Sequence, residues 1–304
     1  MKILLLGRNG QLGWELQRSL APLGKVVALA SQALDNTNQW CGDLANLEGL
    51  RQTVREVSPD LVVNAAAYTA VDKAQTETER AYAINALAPA LLAEETQRLG
   101  AWLMHYSSDY VFDGSGERPW READACAPLS VYGASKRQGE LEIARNPKHL
   151  ILRTSWVYAA RGSNFAKTML RLGAAREELR VIDDQIGAPT GAELLADVSA
   201  LALRQAITQP ALAGLYHCAA SGQTSWHGYA QWVLQEARSL GMPIQVAPER
   251  VLPINSADYP VAAPRPLNSR LDCSRFQDIF SIKLPFWQLG VRRMLQEIGP
   301  NHHL

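Results

Sequence analysis

The stretch HYSSDYVFDGSGERPWREADACAPLSVYGASK, residues 105–136, sets the fold and the chemistry that we predict for the whole chain. Ser108 follows an apolar run at residues 101–106, which is typical of a buried strand whose carboxyl end carries chemistry. Tyr132 and Lys136 are four residues apart, so on a helix they share one face. A hydroxyl, a phenol and an ammonium that converge on one point form a proton donor for a carbonyl under reduction.

We predict that Lys136 makes the phenol of Tyr132 more acidic. A free phenol has a pKa of about 10, and lowering it by about three units takes roughly 4 kcal/mol. One ammonium about 4 Å away in a partly buried site supplies on the order of 4 kcal/mol. Lys136 and the charge of an oxidised nicotinamide ring would therefore suffice, and Ser108 would position the substrate oxygen. Such a Tyr-Lys pair also occurs by chance in many helices, so the surrounding motifs decide its meaning.

A glycine-rich turn follows the first apolar run, at residues 3–6. Gly7, Gly10 and Gly13 lie between that predicted strand and an amphipathic run through Leu20. A helix N-terminus supplies free N–H groups, and glycine lets the backbone approach a pyrophosphate closely. A plain tight turn is the alternative, but the position between strand and helix favours a nucleotide-binding loop.

Strand-like and helical runs alternate through the first half of the chain, as in a parallel, doubly wound sheet. After the first strand we predict strands at residues 25–30, 61–63, 101–107 and 150–152. The predicted fold is α/β: a Rossmann-like doubly wound parallel sheet with a smaller, interwoven α/β substrate domain. The dinucleotide-binding domain would comprise residues 1–158 plus about 186–220, and the substrate domain about 159–185 plus 221–304.

Further helices are predicted at residues 72–99, 135–145, 164–175, 193–205, 226–240 and 289–298. Asn85 lies inside the first of them, and a buried polar side chain needs partners. We therefore interpret Asn85 as the donor and acceptor of structural hydrogen bonds. Residues 253–270, rich in Pro, Ser, Asn and Arg, are predicted to form a loop that covers a site.

The end of the second predicted strand bears on the cofactor. A dinucleotide fold often places an acid there to hold the ribose 2′-OH. This chain has Ala30, Ser31 and Gln32 instead, and Arg8 would be able to approach a 2′-phosphate. The sequence thus favours NADPH, or the use of both NADPH and NADH.

The composition argues against several classes of protein. Charged residues make up 20% and hydrophobic residues 47%, the profile of an ordinary globular chain. The 30 basic and 30 acidic residues balance, which argues against nucleic acid or an anionic membrane as the main partner. No run of apolar residues is long enough to span a membrane. The 4 cysteines lie far apart without metal-ligand spacing, so we expect reduced thiols and a cytoplasmic location.

These motifs resemble those of the extended short-chain dehydrogenase/reductases, and most closely the family of dTDP-4-dehydrorhamnose reductases. The likeness covers nearly the whole chain. The Tyr-Lys pair is shared by the whole superfamily. Three segments are more specific to the reductases: RTSWVY at residues 153–158, DQIGAPT at 184–190 and RPLNSR at 265–270. Many family members carry Thr where this chain has Ser108.

The resemblance implies reduction of the C4 keto group of dTDP-4-dehydro-β-L-rhamnose by NADPH or NADH, in the synthesis of dTDP-rhamnose for O-antigen lipopolysaccharide. The implied catalytic residues are Tyr132, Lys136 and Ser108. The implied cofactor contacts are Gly7, Gly10, Gln11, Leu12, Gly13, Asp43, Leu44, Ala67, Tyr68, Thr69, Tyr132 and Lys136. The implied sugar-nucleotide contacts are Ser108, Asp109, Trp156, Arg265 and Arg270. The two arginines are the candidates for the diphosphate, because a guanidinium group suits it. Family members also form dimers with Mg²⁺ near the interface, which implies a homodimer with Glu15, Glu193 and Glu297 at the metal.

Several alternatives share this scaffold. Another sugar-nucleotide 4-reductase or a 4-epimerase would keep both the fold and the Tyr-Lys pair. A 4,6-dehydratase typically carries an Asp-Glu pair after the hydroxyl residue, whereas here Asp109 is followed by Tyr110. A non-catalytic binding subunit, such as the regulatory subunit of methionine adenosyltransferase, would have no evident need for Ser108, Tyr132 and Lys136.

Overall fold

A computed structural model describes residues 1–31 and 40–299 of the chain. Its strands, in chain order, are β1 (Lys2–Leu6), β2 (Lys25–Leu29), β3 (Leu61–Asn64), β4 (Trp102–Ser108), β5 (His149–Thr154), β6 (Val157–Tyr158), β7 (Leu179–Ile182), β8 (Ile186–Gly187), β9 (Thr190–Gly191), β10 (Gly214–His217), β11 (Thr224–Ser225) and β12 (Val251–Ile254). Its helices are α1 (Gln11–Leu20), α2 (Leu47–Val57), α3 (Val71–Ala74), α4 (Thr78–Tyr82), α5 (Ala88–Leu99), α6 (Val131–Ile143), α7 (Phe165–Gly173), α8 (Ala192–Thr208), α9 (Trp226–Ser239), α10 (Ser274–Phe280) and α11 (Trp287–Ile298).

Six strands form one parallel sheet in the spatial order β10-β5-β4-β3-β1-β2. The chain runs outward from β1 to β2 and then crosses to β3 on the other side of β1. The strand order therefore reverses between β1 and β3, and ligands of such sheets bind at the carboxyl ends of the strands beside that point. β3 and β4 are buried along their whole length, as expected for a parallel sheet covered on both faces. The predicted doubly wound α/β fold is confirmed.

Three apolar clusters form the core. One covers one face of the sheet and includes side chains of α1, α8 and α10. A second covers the other face with side chains of α2, α5 and α6. The third lies in the second half of the chain, where α7, α9 and α11 pack beside β7 and β12. Four residues late in the chain, Phe276, Phe280, Ile282 and Leu284, pack with the main sheet rather than with the third cluster.

The prediction of one continuous helix at residues 72–99 is wrong. The segment is divided into α3, α4, a π turn at Ala83–Leu87, and α5. Pro89, at the start of α5, has no N–H to donate to Asn85 four residues earlier, which favours a local change of helix type there.

The other elements follow the predictions with shifted ends. α6 contains most of the predicted helical residues 135–145 and also Tyr132. It begins at Val131, where the Ser130 side chain caps it by accepting from the Gly133 N–H at 3.2 Å. The predicted loop at residues 253–270 begins inside β12, and α10 was not predicted. Gln32, used in the cofactor prediction, lies outside the described residues. Within the described ranges no helix has the length and apolarity needed to cross a membrane.

Candidate active site

A cavity of about 930 Å³ opens at the carboxyl ends of the central strands, beside the point where the strand order reverses. The predicted ligand-binding and catalytic residues that line it are Gly7, Gly10, Gln11, Leu12, Asp43, Leu44, Ala67, Tyr68, Thr69, Ser108, Asp109, Tyr132, Lys136 and Trp156. Gly13, Arg265 and Arg270 are outside its lining. The fold thus brings most of the separately predicted segments to one cleft.

The glycine turn leaves the start of α1 open to this cleft. Gly7 has a φ of 91°, and a Cβ there would lie 2.8 Å from the Ala66 backbone nitrogen. A Cβ on Gly13 would lie 2.0 Å from the Gly7 carbonyl oxygen. These two glycines are therefore required by the packing of the chain against itself. Gly10 is exposed, and no side chain caps the first N–H groups of α1 in the described part of the chain, which fits a phosphate-binding turn.

Ser108 and Tyr132 reach the cleft from adjoining elements. Ser108 ends β4, and its hydroxyl accepts from the Tyr110 N–H at 3.1 Å and donates to Asp109 Oδ1 at 3.2 Å. Tyr132 lies in the first turn of α6, with Lys136 one turn later, as the four-residue spacing predicts.

The predicted effect of Lys136 on Tyr132 is wrong for the polypeptide alone. Burial raises the pKa of Tyr132 to about 12, the Ser108 hydroxyl acts to lower it, and the Asp109 carboxylate raises it further. The Lys136 ammonium is not among these influences. Lys136 Nζ instead donates to the Tyr106 carbonyl oxygen at 2.6 Å and lies 3.1 Å from His105 Nε2. Burial lowers the pKa of Lys136 to about 8, against the opposing effect of the Glu140 carboxylate.

Asp109 is a buried carboxyl group at the floor of the cleft, with 2% of its surface exposed. Its Oδ2 atom has no hydrogen-bond partner among the residues that the structure describes. Burial raises the pKa of Asp109 to about 6, although hydrogen bonds from Ser269 and Ser108 act to lower it. An unsatisfied, buried acceptor in a cleft suits a ligand that offers a hydroxyl group.

Two stacked indoles form one wall of the cleft. Trp156 and Trp226 lie 3.6 Å apart between ring centroids with 12° between their planes. Trp156 has a φ of 49°, rare for a residue with a large side chain. A Cβ on Gly187 would lie 2.8 Å from that indole, so glycine is needed beside it. Trp156 is predictable from its motif, whereas Trp226 was not predicted as a cleft residue. The one signal near Trp226 is Ser225 before it, a residue type that often caps a helix.

The two predicted diphosphate-binding arginines are engaged elsewhere in the structure. Arg265 makes a two-pronged ion pair with Asp72, at 2.8 and 2.6 Å, and this guanidinium lowers the pKa of Asp72 to about 2. Arg270 donates to Gln223 Oε1 at 2.6 Å and to Asn268 Oδ1 at 3.1 Å. Both arginines therefore stabilise the polypeptide around the cleft.

Two of the predicted metal-binding glutamates, Glu15 and Glu297, lie within electrostatic range of the third, Glu193. Burial raises the pKa of Glu193, and the carboxylates of Glu15 and Glu297 add to the rise. Glu15 pairs with Arg18 at 3.5 Å, and Glu193 with Arg293 at 3.4 Å. No cluster of three or more possible ligand side chains is placed to hold a metal ion within residues 1–31 and 40–299.

Asn85 makes structural hydrogen bonds, as predicted. Its Oδ1 atom accepts from the Tyr68 N–H at 2.9 Å, and its Nδ2 atom donates to the Tyr68 carbonyl at 3.1 Å. The same Nδ2 atom donates to Ser135 Oγ at 3.1 Å, and Ser135 donates to the Tyr132 carbonyl at 2.8 Å. This network connects the cleft segment at Tyr68 to the helix that carries Tyr132.

A parallel doubly wound sheet, a glycine turn at its reversal point and a Tyr-Lys helix beside a strand-end serine define a dehydrogenase/reductase of the extended short-chain type. Residues 1–299 match the family model described as the RmlD substrate binding domain. The chain therefore belongs to the RmlD family.

Relatives with known names agree with this assignment. A dTDP-4-dehydrorhamnose reductase of Escherichia coli (strain K12) is 54% identical over 299 residues, which cover 98% of each chain. The solved structure of a dTDP-4-dehydrorhamnose reductase from Clostridium acetobutylicum has a TM-score of 0.86 and 34% identity, covering 98% of this chain and 99% of that one. The same-named protein of Bacillus anthracis, solved in complex with NADP, has a TM-score of 0.84 and 34% identity, covering 97% and 99%.

Proposed function

We propose that this protein is an oxidoreductase that reduces the C4 keto group of dTDP-4-dehydro-β-L-rhamnose to give dTDP-β-L-rhamnose, with NADPH or NADH as hydride donor. The observation that carries the proposal is the single cavity in which the glycine turn, Ser108 and Tyr132 meet. The name of the 54% identical relative and the NADP in the Bacillus anthracis structure support the substrate and the cofactor.

The two ends of the cavity suggest where each ligand lies. The open N-terminus of α1 would receive the pyrophosphate of the cofactor, with residues 67–69 along its length. The Trp156–Trp226 wall would receive the sugar nucleotide. We accordingly propose a dinucleotide-binding unit made of residues 1–158 and about 186–220, and a substrate-binding unit centred on the third apolar cluster. The α10 segment would join the first unit, since it packs with the main sheet.

The chain's own residues would supply binding, orientation and one proton. A bound nicotinamide cofactor supplies the hydride. Tyr132 is protonated at neutral pH, because its pKa lies far above 7, and its O–H would donate to the oxygen at C4. Ser108 would hydrogen-bond the same oxygen and hold it near the phenol. Asp109 Oδ2, which lacks a partner within the described ranges, would accept from a sugar hydroxyl.

Arg265 and Arg270 stay predicted contacts of the diphosphate. For Arg265 this role would require the guanidinium to exchange the Asp72 carboxylate for a phosphate, a ligand of similar geometry. Four further properties also stay predictions: the homodimer, the Mg²⁺ ion at Glu15, Glu193 and Glu297, the role in O-antigen synthesis and the cytoplasmic location.

An assay of cofactor oxidation tests the proposal. The purified chain is supplied with dTDP-4-dehydrorhamnose or with other 4-keto-sugar nucleotides, each with NADPH and with NADH. We expect cofactor oxidation that depends on the dTDP-4-dehydrorhamnose and yields dTDP-rhamnose in equal amounts. Turnover with tightly retained, unconsumed cofactor would indicate an epimerase, and no turnover with any of these ketones would indicate a binding subunit.

A further inference from the structure

Three buried polar side chains contact one another in sequence from β3 through β4 to α6, the helix that carries Tyr132. Asn64 at the end of β3 and His105 in β4 are each 1% exposed, and Lys136 in α6 is 2% exposed. Asn64 Nδ2 lies 3.2 Å from His105 Nδ1, and His105 Nε2 lies 3.1 Å from Lys136 Nζ. Neither the asparagine nor the histidine has a role in the reduction as described above.

One donor of known direction fixes the positions of the hydrogen atoms on these three side chains. The backbone N–H of Ala66 can only donate, and it faces Asn64 Oδ1 at 3.1 Å. The amide is thereby oriented so that Nδ2 donates to His105 Nδ1, which must be unprotonated. Burial holds the pKa of His105 well below its usual value, so the ring is neutral. Its single proton is therefore on Nε2.

The Nε2–H of His105 points at Lys136 Nζ. An ammonium group has three donors and no acceptor, whereas an uncharged amine has one lone pair that accepts a hydrogen bond. The contact at 3.1 Å is a hydrogen bond only in the uncharged form, whose own N–H donates to the Tyr106 carbonyl. The lowered pKa of Lys136 agrees with this arrangement.

We propose that His105, oriented by Asn64, is a positioning residue whose Nε2–H favours the uncharged amine of Lys136 in the cofactor-free protein. The inference deepens the proposed function and rests on it, because it sets the charge of Lys136, which lines the same cleft as Tyr132. Lys136 becomes charged by taking one proton from solvent. The ring then stays neutral but carries its proton on Nδ1, and Asn64 turns to accept from it.

When the Asn64 side-chain amide turns, its Nδ2 atom faces the Ala66 N–H. Because both groups are donors, the Ala66 N–H then loses its hydrogen-bond partner. Ala66 lines the cleft, so a bound ligand with an acceptor at that point stabilises the charged lysine. The charge of Lys136 is in this way coupled to occupation of the cleft. The titratable and charged groups around this lysine are His105 and Glu140, which is paired with Arg153 at 2.7 Å. Tyr132 lies one helical turn before Lys136.

The tautomer of His105 is measured by ¹⁵N NMR of the cofactor-free protein labelled at histidine, a readout that needs no substrate. We expect the neutral Nε2–H form at pH 9, above the Lys136 pKa of about 8, and a change toward the Nδ1–H form as the pH falls to 6. A purely structural histidine keeps one tautomer across this range. His149 is the internal reference, because its Nδ1 faces the Asn146 carbonyl at 2.6 Å and must carry the proton when neutral. His105→Gln and His149→Gln assign the two signals. An Nδ1–H ring at pH 9, or an imidazolium at position 105, overturns the proposal.

Asn64→Asp tests the coupling, since the carboxylate still accepts from Ala66 but also offers an acceptor to His105 Nδ1. In Asn64→Asp we expect His105 to carry its proton on Nδ1. The basic limb of the plot of kcat against pH should move upward by about one pH unit or more. KM should change less than kcat. Asn85→Asp adds the same charge beside α6 without contacting His105, and should leave the tautomer as in the wild type. If the basic limb of the kcat profile shifts in Asn64→Asp while the His105 tautomer stays unchanged, the shift is a charge effect of the new carboxylate. That outcome contradicts the proposed link from Asn64 through His105 to Lys136. Absent turnover in the wild type refutes the reductase, while the NMR result still decides the tautomer.

Discussion

Asp109 shows at the level of one residue how this site holds an uncompensated charge. The carboxylate is buried, one oxygen lacks a partner in the described part of the chain, and its pKa is raised to about 6 from an ordinary 3.8. Between these two pH values the folded protein binds more protons than the unfolded chain, so this residue makes stability fall as pH rises through that window. Such a group is retained at a cost to stability when a ligand needs it.

Asp109→Asn should therefore stabilise the free protein at pH 8 by about 1 to 3 kcal/mol, because it removes a buried charge. The gain should vanish near pH 4, where the wild-type carboxyl is already protonated in the folded state. Urea denaturation at the two pH values measures the difference. Asp113→Asn is the matched control. The Ser115 backbone N–H lowers the pKa of this half-buried carboxyl, so loss of its charge should slightly destabilise the protein at pH 8. A destabilised Asp109→Asn protein at pH 8 would contradict our reading of this residue.

The π turn at Ala83–Leu87 is the element that ties the cleft to the catalytic helix. It places Asn85 so that the side chain satisfies both backbone groups of Tyr68 and reaches Ser135. Its backbone also packs closely on α6, because a Cβ on Gly139 would lie 2.2 Å from the Asn85 carbonyl oxygen. The turn therefore fixes the distance between the Tyr68 segment and α6.

Asn85→Ala should lower the free energy of unfolding by about 2 to 4 kcal/mol, because it leaves two backbone groups and a hydroxyl without their partner. It should also weaken cofactor binding, since Tyr68 lines the cleft. Denaturant titration and cofactor fluorescence titration measure the two effects. Asn46→Ala is the control: it removes the cap of α2, costs about 1 kcal/mol and leaves cofactor binding unchanged. Equal effects of both substitutions on binding would refute the link between this turn and the cleft.

Secondary structure and the glycine turn could be predicted from local sequence patterns. The partners of individual side chains could not, where those partners lie far away in the chain. The strand ending at Ser108, the helix with Tyr132 and Lys136, and the glycine turn were all predictable from apolar runs, spacing and turn chemistry. The direction of the Lys136 amine was not, because His105 lies 31 positions away and its tautomer depends on Asn64 in another strand. The Asp72–Arg265 pair likewise spans 193 positions, so a guanidinium predicted to bind a diphosphate was found on a carboxylate.

Across the whole molecule, the helical layer on one face of the sheet is joined by a buried acid. Glu95 in α5 is fully buried and binds Arg51, Arg55 and Arg98 at 2.8, 2.7 and 2.8 Å. These guanidinium groups lower the pKa of Glu95 to about 2, from an ordinary 4.5. Its contribution to stability is therefore complete above pH 4.5 and is lost as pH falls through about 2.

Glu95→Gln should lower the free energy of unfolding at pH 7 by about 1 to 3 kcal/mol, because the neutral amide replaces a charge that three guanidinium groups share. The difference from the wild type should shrink at pH 3. Glu94→Gln is the control, since that exposed carboxylate reaches Arg51 only at 3.4 Å and should change stability by less than about 0.5 kcal/mol. Equal losses from both substitutions in denaturant titrations would argue against a special role for the buried acid.

The proton donor is tested most directly by the turnover of Tyr132→Phe beside Tyr110→Phe. The two rings lie 5.5 Å apart at the same cleft, so the pair compares the loss of one hydroxyl with the loss of its neighbour. For Tyr132→Phe we predict a kcat lower by about 10² to 10⁴-fold with nearly unchanged affinity for the sugar nucleotide, and for Tyr110→Phe a loss below about tenfold. A kcat of Tyr132→Phe close to that of the wild type would contradict the assignment of this phenol as the group that protonates the ketone oxygen.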